Sequence, residues 1–172
     1  MSSHILPWFG RQFDLTFPVE QFPNVIVRLR GTPARLEEML RDVAREKLIR
    51  RAGDKWSPQE HAGHLLELES LWIARVDDYL NGAPVMTLAD LTNRSTNEAN
   101  YNARESSEIL RAFRAARRDL LEKLTGVHQD LLERRLSHPR LRQSMRLVDH
   151  LYFAAEHDDH HLATIWELIY DT

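Results

Sequence analysis

Cysteine is absent from this sequence of 172 residues, which excludes disulfides, thiolate metal ligands, iron–sulfur clusters and a cysteine nucleophile together. No run approaches the roughly 20 consecutive apolar residues that cross a bilayer, so no membrane partner is expected. Neither sign of charge prevails: 23 Lys and Arg stand against 26 Asp and Glu, a net of −3. Nothing global therefore draws the chain to nucleic acid or an anionic membrane. The start, Met1-Ser2-Ser3-His4, lacks the charged-then-apolar pattern of a secretion signal, and the expectation is a cytoplasmic protein. Hydrophobic residues make up 42% and charged residues 28%, which rules out disorder of the whole chain. Against these absences stand nine histidines.

Glycine and proline are scarce, at 6 and 7 residues, and they cluster at Gly31/Pro33, Gly53/Pro58 and Gly82/Pro84, with Gly126 and Pro139 further on. The stretches between are rich in Leu, Ala, Arg and Glu, which suits long helices and leaves little room for strands. Residues 1–20 read as an aromatic N-terminal arm that packs on the body, carrying Trp8, Phe9, Phe13 and Phe17 among prolines. Thr32-Pro33 resembles a cap and first-turn proline, predicting a first helix from Pro33 to about Arg45, with Phe22 to Arg30 free to join it through a kink. Ser57-Pro58-Gln59-Glu60 combines an N-cap serine, a first-turn proline and the glutamate of a capping box, so a second helix runs from there to Leu80 and stops at Asn81-Gly82. A third helix is expected from Ser95 to Leu124 and a last one from Arg146 to Tyr170, joined by a long connection. Apolar residues recur at helical spacing in the second helix (Leu65, Leu68, Trp72, Val76, Tyr79) and in the last (Leu147, Leu151, Ala154, Ile165, Leu168). The predicted architecture is all-α: one domain over residues 1–172, an up-and-down four-helix bundle with an N-terminal arm.

On a wheel of about 100° per residue, His157 and His161 lie stacked one turn apart on the inner shoulder of the last helix. An i, i+4 histidine pair offers two imidazoles to one cation. His160 points away from the pair. Asp158 falls inside the apolar arc and needs a partner; accepting the second N–H of a ligating imidazole would supply one. In the second helix the wheel allows either His61 or His64 to face the core. Gly63 between them permits another group to approach closely, and Glu60 and Glu67 flank the pair as candidate bases. The competing reading is plain: an inward histidine is often a hydrogen-bonded core residue, and Glu156 to His161 can be a solvated helix surface.

These same residues carry a resemblance. Trp56-Ser57-Pro58-Gln59-Glu60, then Gly63-His64-Leu65, then His157-Asp158-Asp159-His160-His161 with Leu162 to Ile165, resemble in order and separation the DinB-like superfamily, which includes YfiT-type metal-dependent hydrolases. The resemblance runs from His4-Ile5-Leu6-Pro7-Trp8 to Ile165. It implies a four-helix bundle, often dimeric, with a three-histidine metal site whose ligands are His64, His157 and His161. His61, His150 and His160 add nearby imidazoles, His61 being the foremost substitute. The polar residues Asn93, Thr96, Asn97, Asn100 and Asn102 also resemble this branch's pattern, and equally suit a polar loop and helix cap.

Three neutral imidazoles leave coordination positions open, as a catalytic metal site does. The expected function is that of a divalent-metal-binding enzyme, with Zn²⁺ or Ni²⁺ first and Mn²⁺ or Fe²⁺ next. The resemblance implies action on a small molecule by thiol transfer, with a low-molecular-weight thiol, or by hydrolysis, with Glu60 or Glu67 as candidates to move protons. The alternative is a non-catalytic bundle with a stress-related or partner-binding role, whose histidine cluster would have no room for water or substrate beside it. Nucleic-acid binding has only a local surplus behind it: between Ala103 and Arg146, 11 Lys and Arg face 6 Asp and Glu, and a solvated helix face explains them.

Overall fold

The computed structural model describes residues 5–170. Met1 to His4, where the arm and the resemblance begin, lie outside the described residues, as do residues 171–172. After a 3-10 turn at Val19–Gln21 come α1 (Phe22–Leu40), α2 (Arg45–Leu48), α3 (Pro58–Asn81), α4 (Arg94–Glu98), a second 3-10 turn (Tyr101–Ala103), α5 (Ser106–Lys123), α6 (Gln129–Glu133), a hairpin of β1 (Arg135–Ser137) and β2 (Ser144–Arg146), and α7 (Leu147–Tyr170). None of the helices among the described residues is long and apolar enough to cross a membrane.

The strongest local signal behaves as its chemistry requires. The Ser57 hydroxyl accepts from the Glu60 N–H at 3.2 Å and the Glu60 carboxylate accepts from the Ser57 N–H at 2.9 Å, closing the capping box at the start of α3. Gly82 ends the helix in the left-handed conformation, at φ +68°.

Three expected boundaries are corrected. Thr32 does not cap a helix: α1 starts at Phe22 with Pro23 in its first turn, runs through Pro33 and stops at Leu40. A proline there cannot donate to the carbonyl four residues back. That carbonyl, on Leu29, instead accepts from Arg117 Nη1 at 2.8 Å, so the helix continues with the group satisfied. The third long helix starts at Ser106 rather than Ser95, because Asn100 turns into the left-handed region at φ +49°. The 3-10 turn that follows is held from α3, where the Gln59 amide donates to the carbonyls of Tyr101 (2.6 Å) and Arg104 (3.0 Å). The connection after α5 contains α6 and the hairpin, whose Leu136 and Met145 pair directly and both point inward.

The four long helices form the bundle, α1 and α3 each packing against both α5 and α7. Cross-links give the directions. Arg28 meets Asp159 and the Tyr170 hydroxyl reaches the Met39 carbonyl, so α1 and α7 are parallel. Glu69 with Arg117 and Asp77 with Lys123 make α3 and α5 parallel, while His61 with His161 and Tyr79 with the Met145 carbonyl make α3 and α7 antiparallel. Two helices point each way, and the chain visits them in the order up, down, down, up.

Each long helix contributes one polar residue to a single buried layer: Thr32, Glu69, Arg117 and Asp158. Arg117 donates to both carboxylates, at 2.6 Å each, and the Thr32 hydroxyl donates to Asp158 at 2.8 Å. Apolar side chains close the layer on both sides, with Leu29, Trp72, Val76 and Leu120 in one core and Leu36, Leu65, Phe113 and Leu162 in the other. Burial pushes the Glu69 carboxyl up to about 7 against the attraction of Arg117, and the two carboxylates hold the Arg117 guanidinium well above its ordinary range despite its burial.

Candidate functional site

The antiparallel register of α3 and α7 brings the start of one helix against the middle of the other. His64, His157 and His161 meet there, all buried, each offering a ligand atom within 4.8 Å of the others. His157 Nε2 and His161 Nε2 are 3.1 Å apart. Two nitrogens bound to one tetrahedral ion at about 2.0–2.1 Å stand roughly 3.3 Å apart, so the spacing fits a shared cation. The donor set fits too, since three nitrogens without sulfur suit Zn²⁺, Ni²⁺, Mn²⁺ or Fe²⁺. Burial drives the His64 imidazole down to about 3 and those of His157 and His161 well below their ordinary range, with the neighbouring imidazoles adding to the effect. All three rings are therefore neutral at pH 7, the form that binds metal.

The surroundings fix which nitrogen points inward. His64 Nδ1 lies 3.0 Å from the Thr96 hydroxyl, which leaves Nε2 for the cluster. His161 Nδ1 lies 2.8 Å from Nδ1 of His61, which places His61 behind His161 rather than among the three. The Nδ1 of His157 is buried without a partner, its ring nearly perpendicular to Trp8 at 4.9 Å. His160 lies half-buried against Trp8 at 5.7 Å, and His150 sits lower in the bundle between Trp72 and Tyr79. The polar stretch before α5 is more than a loop. Thr96 serves His64, Asn97 accepts from the Trp56 indole N–H at 3.0 Å, and Asn102 accepts from the Ser57 hydroxyl at 2.7 Å.

The acidic residues lie differently from their sequence-based roles. Asp158 accepts from Arg117 and Thr32, not from an imidazole, because α5 and α1 reach it from the side of the bundle away from the cluster. Glu60 is held by Arg51 and the Ser57 N–H, and these hydrogen bonds and charges keep its carboxyl below the usual range even though burial opposes them. Glu67 accepts from the Tyr101 hydroxyl and lines a small cavity of about 350 Å³ that His64 and Thr96 also touch. The group that approaches Gly63 is Tyr101, whose ring would stand 2.3 Å from an added Cβ.

The three histidines lie on the wall of a larger cleft of about 720 Å³. The N-terminal arm closes one side, with Trp8 packed against Phe153 at 5.0 Å. Trp56 and Trp72 supply further aromatic wall, and Arg75, His138 and Arg140 line the cleft as well. Sequence reading passed over these three. Arg75 lies at i+11 from His64, about 20° away on the wheel, so the pattern did place it on the same face of α3. His138 and Arg140 are on the hairpin loop and left no periodic signal. Arg117, counted with the solvated arginines, is buried.

The profile of the DinB superfamily matches residues 28–165. Among solved structures the chain is similar to YfiT from Bacillus subtilis, described as "a probable metal-dependent hydrolase with an unusual four-helix bundle topology", with a TM-score of 0.80 at 19% identity over 92% of this chain and 91% of that one. It is also similar to a mycothiol-dependent maleylpyruvate isomerase, with a TM-score of 0.66 at 9% identity over 86% of this chain and 60% of the isomerase. A mutant of that isomerase matches to the same extent. This chain thus spans less than two thirds of the isomerase's length. Among curated proteins none matches the sequence.

Proposed function

The chain belongs to the DinB superfamily, and from that premise we propose that it is a divalent-metal-dependent enzyme acting on a small molecule, by hydrolysis or by thiol transfer, with His64, His157 and His161 as the metal ligands. The observation that carries this reading is the position of the three buried, neutral imidazoles on the wall of a cleft of about 720 Å³. The non-catalytic alternative needs a histidine cluster with no room beside it, and the cleft argues against that. The reaction classes come from the structural relatives, one described as a hydrolase and one as mycothiol-dependent.

A bound divalent ion would supply Lewis acidity, polarising an oxygen or favouring the deprotonated form of water or a thiol. The protein's own part is to keep the ligands neutral by burial and to fix their tautomers. With Nε2 of each ring on the ion, His64 Nδ1–H would donate to the Thr96 hydroxyl and His161 Nδ1–H to Nδ1 of His61. Trp8, Trp56 and Trp72 keep bulk water from the cleft walls. We assign proton transfer to Glu67, in the small cavity beside His64, rather than to Glu60, which is committed to Arg51 and the helix cap. The metal is Zn²⁺ or Ni²⁺ on this reading, with Mn²⁺ and Fe²⁺ next. A homodimer in the cytoplasm belongs to the same proposal. The exposed pair Trp166 and Tyr170 on α7 supports a subunit contact, which light scattering tests.

The deciding experiment is elemental analysis of protein purified without a nickel column, wild type beside His64→Ala, His157→Ala and His61→Ala. The expected result is about one equivalent of metal, lost in the first two variants and kept in the third. Absence of metal after incubation with Zn²⁺, Ni²⁺ and Mn²⁺ would overturn the proposal.

A further inference from the structure

Arg75 is buried, only 2% exposed, and among the described residues no carboxylate pairs with it. Its Nε donates to the Thr87 carbonyl at 3.0 Å, and its guanidinium lies over Trp72 at 5.6 Å. The neighbouring carboxylate, Asp78, is instead occupied by the Thr87 N–H at 2.5 Å. The other end of the guanidinium faces His138, with Nη1 3.3 Å from Nε2. That contact does not satisfy Arg75. His138 Nδ1 accepts the backbone N–H groups of Arg140 (3.3 Å) and Leu141 (3.1 Å), so the proton of the neutral ring sits on Nε2. Two donors then face each other with no acceptor between them. Arg140 completes the set, its Nη2 buried without a partner and its guanidinium over Phe9 (5.3 Å) and Phe153 (5.9 Å). Burial draws the Arg75 guanidinium down to about 10, lowers that of Arg140, and brings the His138 imidazole down to about 4, with the two arginine charges adding to its shift. At Arg75 burial outweighs the opposing charge of Asp78.

We propose that Arg75, Arg140 and His138 form an anion subsite at the end of the cleft away from the histidine trio, and that the small molecule taken there carries a carboxylate or phosphate on an apolar body. This inference rests on the proposed metal-dependent function, whose substrate class it names. His64 and Arg75 share one face of α3, separated by a rise of about 16 Å. Side chains on a helix lean toward its start, and the longer arginine reaches further that way than the imidazole of His64, which leaves a gap on the order of 10 Å between trio and subsite. Leu68, Leu71 and Trp72 line that interval, with Phe153 from α7. A ligand with one anionic end and an apolar middle therefore presents its other end to the three histidines. Arginine accommodates either oxyanion through paired N–H donors, and desolvation strengthens the contact.

The test is calorimetric titration of metal-free and zinc-loaded protein with 6-phenylhexanoate, 6-phenylhexyl phosphate and 6-phenylhexanamide, which differ only in the terminal group. At least one anion is expected to bind tenfold or more tighter than the amide in both forms of the protein, and the better anion identifies the oxyanion class. Arg140→Gln and Arg75→Gln are expected to abolish that preference while zinc stoichiometry stays unchanged. Arg75→Gln removes a buried group and can unfold the chain, in which case Arg140→Gln decides. Equal binding of all three compounds overturns the subsite, as does a preference that survives Arg140→Gln or that exists only with zinc bound. A wild type that takes up no metal yet prefers the anion removes the enzyme proposal and leaves the subsite standing.

Discussion

His150 offers the sharpest thermodynamic test of the packing. It is fully buried, its ring stacks near Tyr79 at 6.1 Å, and neither ring nitrogen has a hydrogen-bond partner. Burial holds its imidazole well below the ordinary range, and the charge of Arg75 pushes the same way. The unfolded chain has no such restraint and takes up a proton near pH 6.5. Because the folded-state pKa is depressed, His150 favours the fold fully above pH 6.5 and progressively less as the pH falls below it. At pH 5, with the folded imidazole still unprotonated, protonation of the unfolded state costs the fold RT ln(1 + 10^1.5), about 2 kcal/mol. His150→Phe removes that loss and fills the same space, with a packing penalty of less than about 1.5 kcal/mol. Urea unfolding of metal-free wild type and variant at pH 8, 6.5 and 5 reads the difference, the three clustered histidines being common to both. The variant should gain about 2 kcal/mol on the wild type between pH 8 and pH 5. A difference independent of pH would refute the argument, because it would mean that His150 is charged or hydrogen-bonded in the fold.

Arg117→Met strands Glu69 and Asp158 in the core without their cation, and should lower stability by about 3–5 kcal/mol in urea unfolding, with part recovered on adding Glu69→Gln. Thr96→Val removes the acceptor for His64 Nδ1, and should weaken zinc about 10- to 100-fold in competition with a chelator while the melting temperature of the metal-free protein barely moves. Gly63→Ala drives a methyl group into the Tyr101 ring and should cost about 1–3 kcal/mol in thermal unfolding; replacing Tyr101 by Leu in the same chain should restore part of the loss.

The long-range arrangement was legible wherever local chemistry and periodicity agreed. The capping box at Ser57, the stop at Gly82 and the i, i+4 pair His157/His161 depend on neighbours within one or two turns, and all three stand as read. The wheel could not choose between His61 and His64, since both face the core. What separates them is the partner across the gap, His161 Nδ1 for one and Thr96 for the other, and that is a property of packing. Pro33 misled for a similar reason. Its missing hydrogen bond is made good by Arg117, 84 positions away in sequence, so no local rule sees the compensation. Asp158 was correctly marked as a carboxylate in need of a partner, but the partner belongs to a helix whose arginines read as surface. The hairpin was missed because each strand has only three residues, too few for an alternation to register.

The order of helix directions explains why the site's support lies in segments without regular structure. Since α3 and α5 are parallel, the chain must climb back along α3, a helix of 24 residues and so about 36 Å, before α5 begins. That return crosses both ends of the cleft. At the lower end Met86 N–H and Ser137 N–H exchange bonds with Ser137 and Pro84 carbonyls, which pins Thr87 where its carbonyl takes Arg75. At the upper end left-handed turns at Asn93 and Asn100 bracket α4, seating Thr96 on His64, Asn97 on Trp56 and Tyr101 on Gly63. A simple up-down-up-down bundle would join α3 to its neighbour with a short loop and have no strand of chain available for either task. The crossover is therefore the element that orients His64 at one end of the cleft and Arg75 at the other, and one segment of backbone runs between the two ends.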